Sequence, residues 1–402
     1  MDLSITVVGA GVGGLTAALY LAHLGATVTV VERTQQPSAL GAGIMLQPNG
    51  LAVLAGLGLS ADVDRLGRRI DRMDIRGSHG QLCVSQHVPD FGDGLDHCVA
   101  LLRRDLQRLL VDLVGDDPRV TLRTGTSAVA ADRDGAVHVV GVTGPETLPA
   151  DLVVGADGVR STIRGCADFG VTESNRGTDY VRALVRCDGP ADFVEHWTSL
   201  GAYGAAGVAE GLTYVYYAAY RPEPAAAVAA RDLPALREVW RRVLPEAAGF
   251  LDHVMSFDDL IISGVRRIRC RRWVVGRLVL LGDAAHAMAP NVGQGANSAM
   301  VDALALTDEL GRGGEVAAAL GCYQDRRLGP VTAVQSVAER LAMLSGLRRR
   351  PILLARDAAL RGSGRLPRVL DRQVSRAQQE LPSQLLATAI RIGSNPRQVS
   401  HP

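Results

Sequence analysis

The stretch LVLLGDAAHAMAPNVGQG, Leu278 to Gly295, decides how the chain is read. It runs from an apolar strand into Gly282-Asp283, through small residues to Pro290, and then through a glycine-rich turn into a helix. Turns of this kind usually open a nucleotide-binding unit, yet this one lies well past the middle of 402 residues, and the chain already begins with VVGAGVGG, Val7 to Gly14. The second turn needs a reason of its own.

The first turn has a complete local context. Ser4 to Gly9 reads as a short apolar strand, Leu15 to Gly25 has helical apolar spacing, and Ala26 to Arg33 is a second strand ending in Glu32. Gly9, Gly11 and Gly14 occupy the G-x-G-x-x-G positions around Val12 and Gly13. Such glycines permit a tight turn, let the backbone approach a pyrophosphate and pack the helix on the sheet. The helix N-terminus turns its free N–H groups and positive dipole end to the phosphates. Glu32 can accept from ribose hydroxyls. This motif alone does not choose between NAD and FAD.

The second turn is too far along the chain for the same local site, which suggests a ligand long enough to reach both. FAD has that shape, with adenosine at one end and isoalloxazine at the other. Asp283 would accept ribityl hydroxyls, and the backbone of Gly293, Gln294 and Gly295 would approach the ring. A helix starting near Ala296 would aim its positive end at the flavin edge that holds charge on reduction.

Composition removes other chemistries. All 43 basic residues are arginine, so Schiff-base and Walker-type lysine chemistry is excluded. A net charge of +1 gives no global field for nucleic acid or anionic membrane. Six scattered cysteines without a CxxC pair read as free thiols in a reducing compartment, and no metal site is expected. The N-terminus lacks a basic region and cleavage signal, and no apolar run approaches membrane-span length. A cytoplasmic location is expected.

Between the two turns the pattern changes. Gly41 to Leu59 reads as a glycine-rich loop and a short helix, and His97 to Val114 as a strand end followed by an amphipathic helix. Arg103 and Arg104 stand at that helix start, an unfavourable place for a cation unless an anion is near. Asp151 to Arg164 is an apolar strand ending in Gly155-Ala156-Asp157-Gly158, and Gly177 to Cys270 is rich in alternating strands. The expected fold is α/β with an α+β insert. A Rossmann-like cofactor domain (1–75, 97–176, 271–345) is interleaved with a sheet-based substrate domain (76–96, 177–270), and 346–402 is a helical C-terminus.

With GAGVGG and Glu32-Arg33, GADG at 155–158 and GDAAHAMAPNVGQGAN at 282–297, the chain resembles the single-component FAD-dependent monooxygenases of the para-hydroxybenzoate hydroxylase fold. The resemblance runs to about Leu310. It implies that Arg103 contacts the FAD phosphates and that Asp157 and Gly158 serve both FAD and NAD(P)H. Asp283 holds the ribityl chain, and Pro290 and Gly293 to Asn297 lie beside the flavin. Gly43 and Ile44 approach the ring's other side, and Val129 gives a backbone contact to adenine. It further implies that NAD(P)H visits as a transient donor, that oxygen forms a C4a-hydroperoxide, and that one oxygen atom enters an aromatic or polycyclic small molecule, as in natural-product biosynthesis. The cofactor carries this chemistry, so no catalytic triad is expected.

Substrate contacts stay open between pocket and core: Tyr214 and Tyr216 on one strand face, Tyr203 in GAYGAAG, and Arg182 in the neighbouring strand. His286 reads as structural before catalytic. Partners are a small-molecule substrate and O₂, without nucleic acid or a membrane span, in a monomer or homodimer. The rivals are an FAD-dependent reductase or desaturase, an NAD-dependent dehydrogenase, and a noncatalytic flavin-binding protein.

Overall fold

The computed structural model describes residues 2–35 and 42–393. A six-stranded sheet holds, in order, Val274–Val275, Leu278–Leu280, Leu152–Gly155, Ser4–Val8, Thr27–Val31 and Val120–Arg123. All its pairings are parallel except the short edge hairpin at Val274–Val275. The central strands are dominated by Val, Ile and Leu because both faces are covered, and Val7, Val30, Val154 and Val279 are fully buried.

Register explains why motifs distant in sequence converge. Val8 pairs with Val31 and Gly155, and Gly155 pairs with Leu280. The turns that follow, at Gly9, Ala156-Asp157 and Gly282-Asp283, therefore emerge side by side at the carboxyl edge of one sheet, where α/β sheets bind ligands. The helix Val12–His23 starts from the first of these turns and packs against the helix Gly295–Gly311, which follows the later Gly293 turn. Their approach is close: a Cβ on Gly13 would sit 2.8 Å from that of Ala299.

A seven-stranded sheet forms the second layer, ordered Ile261–Cys270, Val171–Val185, Leu212–Ala218, Gly201–Ala209, Phe193–Thr198, Arg72–Arg76 and Leu82–His87. It takes in residues on both sides of the limits expected at 76 and 177. Arg72–Arg76 pairs with Phe193–Thr198, and Val171–Val185 continues through a register shift between Asn175 and Asp179 where the sequence ESNRG suggests a loop. The helices Pro222–Ala229, Leu233–Val243 and Pro245–Leu251 cover one face, burying Trp240, Leu236 and Leu251 against Tyr203 and Tyr217. The other face looks toward the six-stranded layer.

Gly41 of the expected 41–59 loop lies outside the described residues. Gly43 and Ile44 are not in a loop: Gly43–Leu46 is a strand pairing with Cys98–Leu102, and it leads into the helix Pro48–Gly56. The C-terminal segment is helical through Pro382–Gly393, with 394–402 outside the described residues. That last helix presses on Pro48–Gly56 so tightly that a Cβ on Gly56 would meet the Ala389 methyl at 2.4 Å.

Candidate functional site

A cavity of about 730 Å³ lies between the two layers. Its first wall is made of backbone. Gly9, Gly11, Val12 and Gly13 line it with Glu32 and Arg33, as do Gly282, Asp283, Pro290, Gly293, Gly295 and Ala296. Gly9 has φ +106°, and a Cβ there would stand 2.5 Å from the Ala156 carbonyl oxygen; a Cβ on Gly11 would meet nothing within 4 Å. The first glycine is thus required by the turn, and the second keeps the backbone open to the cavity. Gly14 does not line it; its Cβ would fall 2.0 Å from the Gly9 carbonyl oxygen, so its role is helix-to-turn packing.

Glu32 ends its strand with both oxygens engaged. Oε2 accepts from the Ala10 N–H at 2.9 Å, and Oε1 accepts from the Thr34 N–H at 2.9 Å and its hydroxyl at 2.7 Å. Half-burial would raise its pKa, but the hydrogen bonds from Thr34 and Ala10 win and hold it below the usual carboxylate value. It is an ionised, oriented acceptor with lone pairs to spare. Arg103 lines the same end at the first turn of Arg103–Asp116, beside Thr126, Ser127 and Ala128.

Asp157 lines the cavity with Gly158, and its Oδ2 accepts from the Thr162 and Ile163 N–H groups at 2.6 and 3.2 Å. Its Oδ1 is buried without a partner among the described residues, and burial raises its pKa despite those bonds. Asp283 is exposed into the cavity and makes no hydrogen bond or ion pair among the described residues.

What holds Asp283 in place is a residue that the motif does not reveal. Asp302, fully buried about two turns into the helix Gly295–Gly311, accepts from the Gly282 N–H at 3.0 Å, from His286 Nε2 at 2.5 Å and from Arg327 Nε at 2.8 Å. Burial opposes its charge, yet His286, Arg327 and these bonds bring its pKa down to about 2. Facing an ionised carboxylate, Nε2 of His286 carries the proton. The ring is stacked on Trp273 at 4.9 Å and does not line the cavity, so His286 supports the turn.

Gln294 and Asn297 are likewise buried behind the wall. Gln294 donates to Gln47 Oε1 at 2.7 Å; Asn297 donates to the Met45 and Gly293 carbonyls at 3.0 and 2.9 Å and accepts from the Gln47 N–H at 3.0 Å. These bonds tie the Gly293 turn to the strand bearing Gly43 and Ile44, which do line the cavity. The C-terminal segment adds Gln378, whose Oε1 accepts from the Asn49 N–H at 3.1 Å. Gln47, Asn49 and Asp302 carried no signal beyond being polar residues beside apolar ones, and Gln378 none beyond lying in a polar, arginine-rich run.

The second wall is made of side chains on one face of the seven-stranded sheet: Met73, Tyr180, Arg182, Phe193, Glu195, Ala206, Val208, Tyr214 and Tyr216. Tyr214 packs over Gly43, where a Cβ would sit 2.6 Å from the ring. Arg182 donates to the Ser263 hydroxyl and lies over the Tyr180 ring at 5.7 Å. Arg182, Tyr214 and Tyr216 thus come together. Tyr203 does not join them: on the strand Gly201–Ala209 its parity matches Ala205, not Ala206, so it is 1% exposed among Tyr217, Trp240 and Phe250 on the helix-covered face. Val129 is 54% exposed and does not line the cavity, whereas its neighbours Ser127 and Ala128 do. Tyr180 and Glu195 were not anticipated.

Residues 2–337 match the FAD binding domain family, and the chain belongs to it. It is 32% identical over 380 residues to 3-amino-4-hydroxybenzoate 2-monooxygenase of Streptomyces cremeus, covering 90% of this chain and 92% of the relative. It is 31% identical over 350 residues to 2-heptyl-3-hydroxy-4(1H)-quinolone synthase of Mycobacteroides abscessus, covering 85% and 90%. Among solved structures, the tetrameric 2-methyl-3-hydroxypyridine-5-carboxylic acid oxygenase superposes with a TM-score of 0.75 at 28% identity, covering 89% of this chain and 96% of that one. The protein is an FAD-dependent monooxygenase.

Proposed function

We propose that this flavoprotein monooxygenase hydroxylates an aromatic or heteroaromatic small molecule, with NAD(P)H as the electron donor. One observation carries the reading: a single cavity is lined at one side by glycine turns and unpaired acceptors, and at the other by tyrosines, an arginine and a glutamate. By their names, one relative acts on an aminohydroxybenzoate and the other forms a hydroxyquinolone, both flat rings with polar substituents.

The donor set fits FAD. Glu32 would receive the adenosine ribose, the N–H groups of Gly11 to Gly13 with Arg33 and Arg103 the pyrophosphate, and Asp283 the ribityl hydroxyls. The N–H groups at the Gly293 to Ala296 helix start would meet the ring edge, where a helix dipole favours negative charge. When bound, FAD supplies the redox chemistry, passing electrons from NAD(P)H to O₂. The protein's own part is to orient the substrate on the tyrosine wall and to exclude water between the layers. In this reading the cofactor domain comprises the six-stranded layer, and the substrate domain the seven-stranded sheet with its helices. The enzyme works in the cytoplasm as a monomer or homodimer, in keeping with six unpaired cysteines.

The test is substrate-stimulated NAD(P)H oxidation with ¹⁸O₂. One labelled oxygen atom in the product is expected. A new oxygen taken from water, or none gained, would make the protein a reductase or desaturase.

A further inference from the structure

The sheet wall contains one carboxylate, and nothing in the cofactor's requirements accounts for it. Glu195 lies in Phe193–Thr198, is only 6% exposed, and its Oε1 has no hydrogen-bond partner among the described residues. Pairing registers put it in a straight row across four strands: Arg182 opposite Tyr216, Tyr216 opposite Gly204, Gly204 opposite Glu195. Neighbours in such a row point to one face. Gly204 is the gap that makes the row work, because a Cβ there would stand 2.3 Å from the Tyr216 ring. The ring leans across the glycine toward Glu195, and Tyr180 packs edge-on against it at 6.0 Å.

A buried carboxyl oxygen without a donor is costly, and native structures rarely retain one unless something else completes it. Arg182 cannot: three strand spacings, roughly 14 Å, separate its backbone from that of Glu195. Burial pushes the Glu195 carboxyl up to about 7. The Trp197 indole and Tyr216 hydroxyl lie near enough to favour its charge, but neither makes a hydrogen bond to it among the described residues, and Trp197 Nε1 is itself unpartnered. The group is thus poised to take either a hydrogen bond or a proton.

We propose that Glu195 is the specificity determinant of the substrate wall, accepting from a ring N–H or phenolic O–H of a flat aromatic substrate whose face packs on Tyr216 and Tyr180. The inference rests on the monooxygenase reading above. It narrows the substrate class to aromatic rings bearing a donor at the edge that meets Glu195, and it makes molecules lacking that donor poor ligands because they leave the carboxyl unpaired.

The experiment titrates the oxidised holoenzyme, following perturbation of flavin absorbance, with two probe pairs: 4(1H)-quinolone against its N-methyl derivative, and 2-naphthol against 2-methoxynaphthalene. Wild type is expected to favour the unmethylated member of at least one pair by about ten- to a hundredfold, the range for a hydrogen bond to a charged group. The responding pair distinguishes an N–H from an O–H donor. Glu195→Gln should shrink the preference, and Glu195→Leu should abolish it while raising Tm, whereas a merely structural residue would lower Tm on replacement. A wild-type ratio near one in both pairs, binding of neither probe, or a preference that survives Glu195→Leu overturns the proposal. FAD released from the same samples separates the two failures: protein that holds FAD without discriminating loses only the Glu195 assignment, while protein that cannot hold FAD loses the flavoenzyme reading.

Discussion

The two walls of the cavity are built by opposite means. The cofactor wall is backbone and depends on side chains being absent, so that Gly9 at φ +106°, Gly282 at +58° and Gly293 at +65° take conformations other residues resist. The sheet wall depends on side chains being present, drawn from five strands and from one parity of the pleat. Change at a turn glycine of the first wall should therefore break the fold and the cofactor site together. Change at the second should alter selectivity and leave the scaffold standing.

The largest expected effect comes from adding a methyl group at the first wall. Gly9→Ala combines a disfavoured φ with a 2.5 Å approach to the Ala156 carbonyl, and it should destabilise the protein by more than about 3 kcal/mol. The purified variant should lack FAD and melt at a visibly lower temperature by differential scanning fluorimetry. Gly11→Ala is the control, since its Cβ has open space: it should fold and lose cofactor affinity alone. Equal behaviour of the two would remove the distinction between a turn glycine and a cavity glycine.

This asymmetry also governs what could be read from the sequence. Glycine turns leave a linear signature because the constraint acts on consecutive residues, so the turns at Gly9 and Gly293 could be read from spacing, while GADG at 155–158 took its role from the family resemblance. Their meeting at one sheet edge still needed the register of Val8, Gly155 and Leu280. The row Arg182, Tyr216, Gly204, Glu195 is spelled nowhere in the chain, because its members come from separate strands. Alternation put Tyr214 and Tyr216 on one face, but it could not say which parity of GAYGAAG looked inward, and Tyr203 fell on the other side. Glu195, between Val194 and His196, gave no more than the signal of an ordinary polar residue in a strand.

The next effect probes the second wall through pH. The Glu195 carboxyl is raised from 4.5 to about 7 in the folded protein, so between these values the native state binds the extra proton. Stability then falls as pH rises through this window, by on the order of 3 kcal/mol in the absence of substrate. Glu195→Leu should flatten the decline in Tm between pH 5 and 8. A wild-type Tm that rises across that interval while the variant's profile is parallel would show that the carboxyl is not held in its neutral form.

Asp283→Ala returns to the cofactor wall with a smaller change. It removes an acceptor without touching the turn, which Asp302 holds through the Gly282 N–H. FAD affinity should weaken by about 1 to 3 kcal/mol, the cost of unpaired hydroxyls, with Tm of the apoprotein unchanged. Fluorescence titration of the apoprotein with FAD measures the first quantity. An unaltered Kd would detach Asp283 from the ribityl chain.

The smallest effect is the sharpest test of the two-faced sheet. Tyr203 and Tyr216 sit on adjacent strands, yet their faces differ: Tyr203 is sealed among Tyr217, Trp240 and Phe250, and its hydroxyl has no hydrogen-bond partner. Tyr203→Phe deletes a buried polar atom that contributes nothing and keeps the ring, so stability should stay within about 1 kcal/mol of wild type or rise slightly. Substrate Kd and kcat should not move, because the hydroxyl points away from the cavity. Tyr216→Phe removes a hydroxyl of the cavity row beside Glu195, and it should change substrate affinity while Tm stays near wild type. If Tyr203→Phe altered binding and Tyr216→Phe did not, the sheet would present the opposite parity to the substrate, and the row ending at Glu195 would face the helices instead.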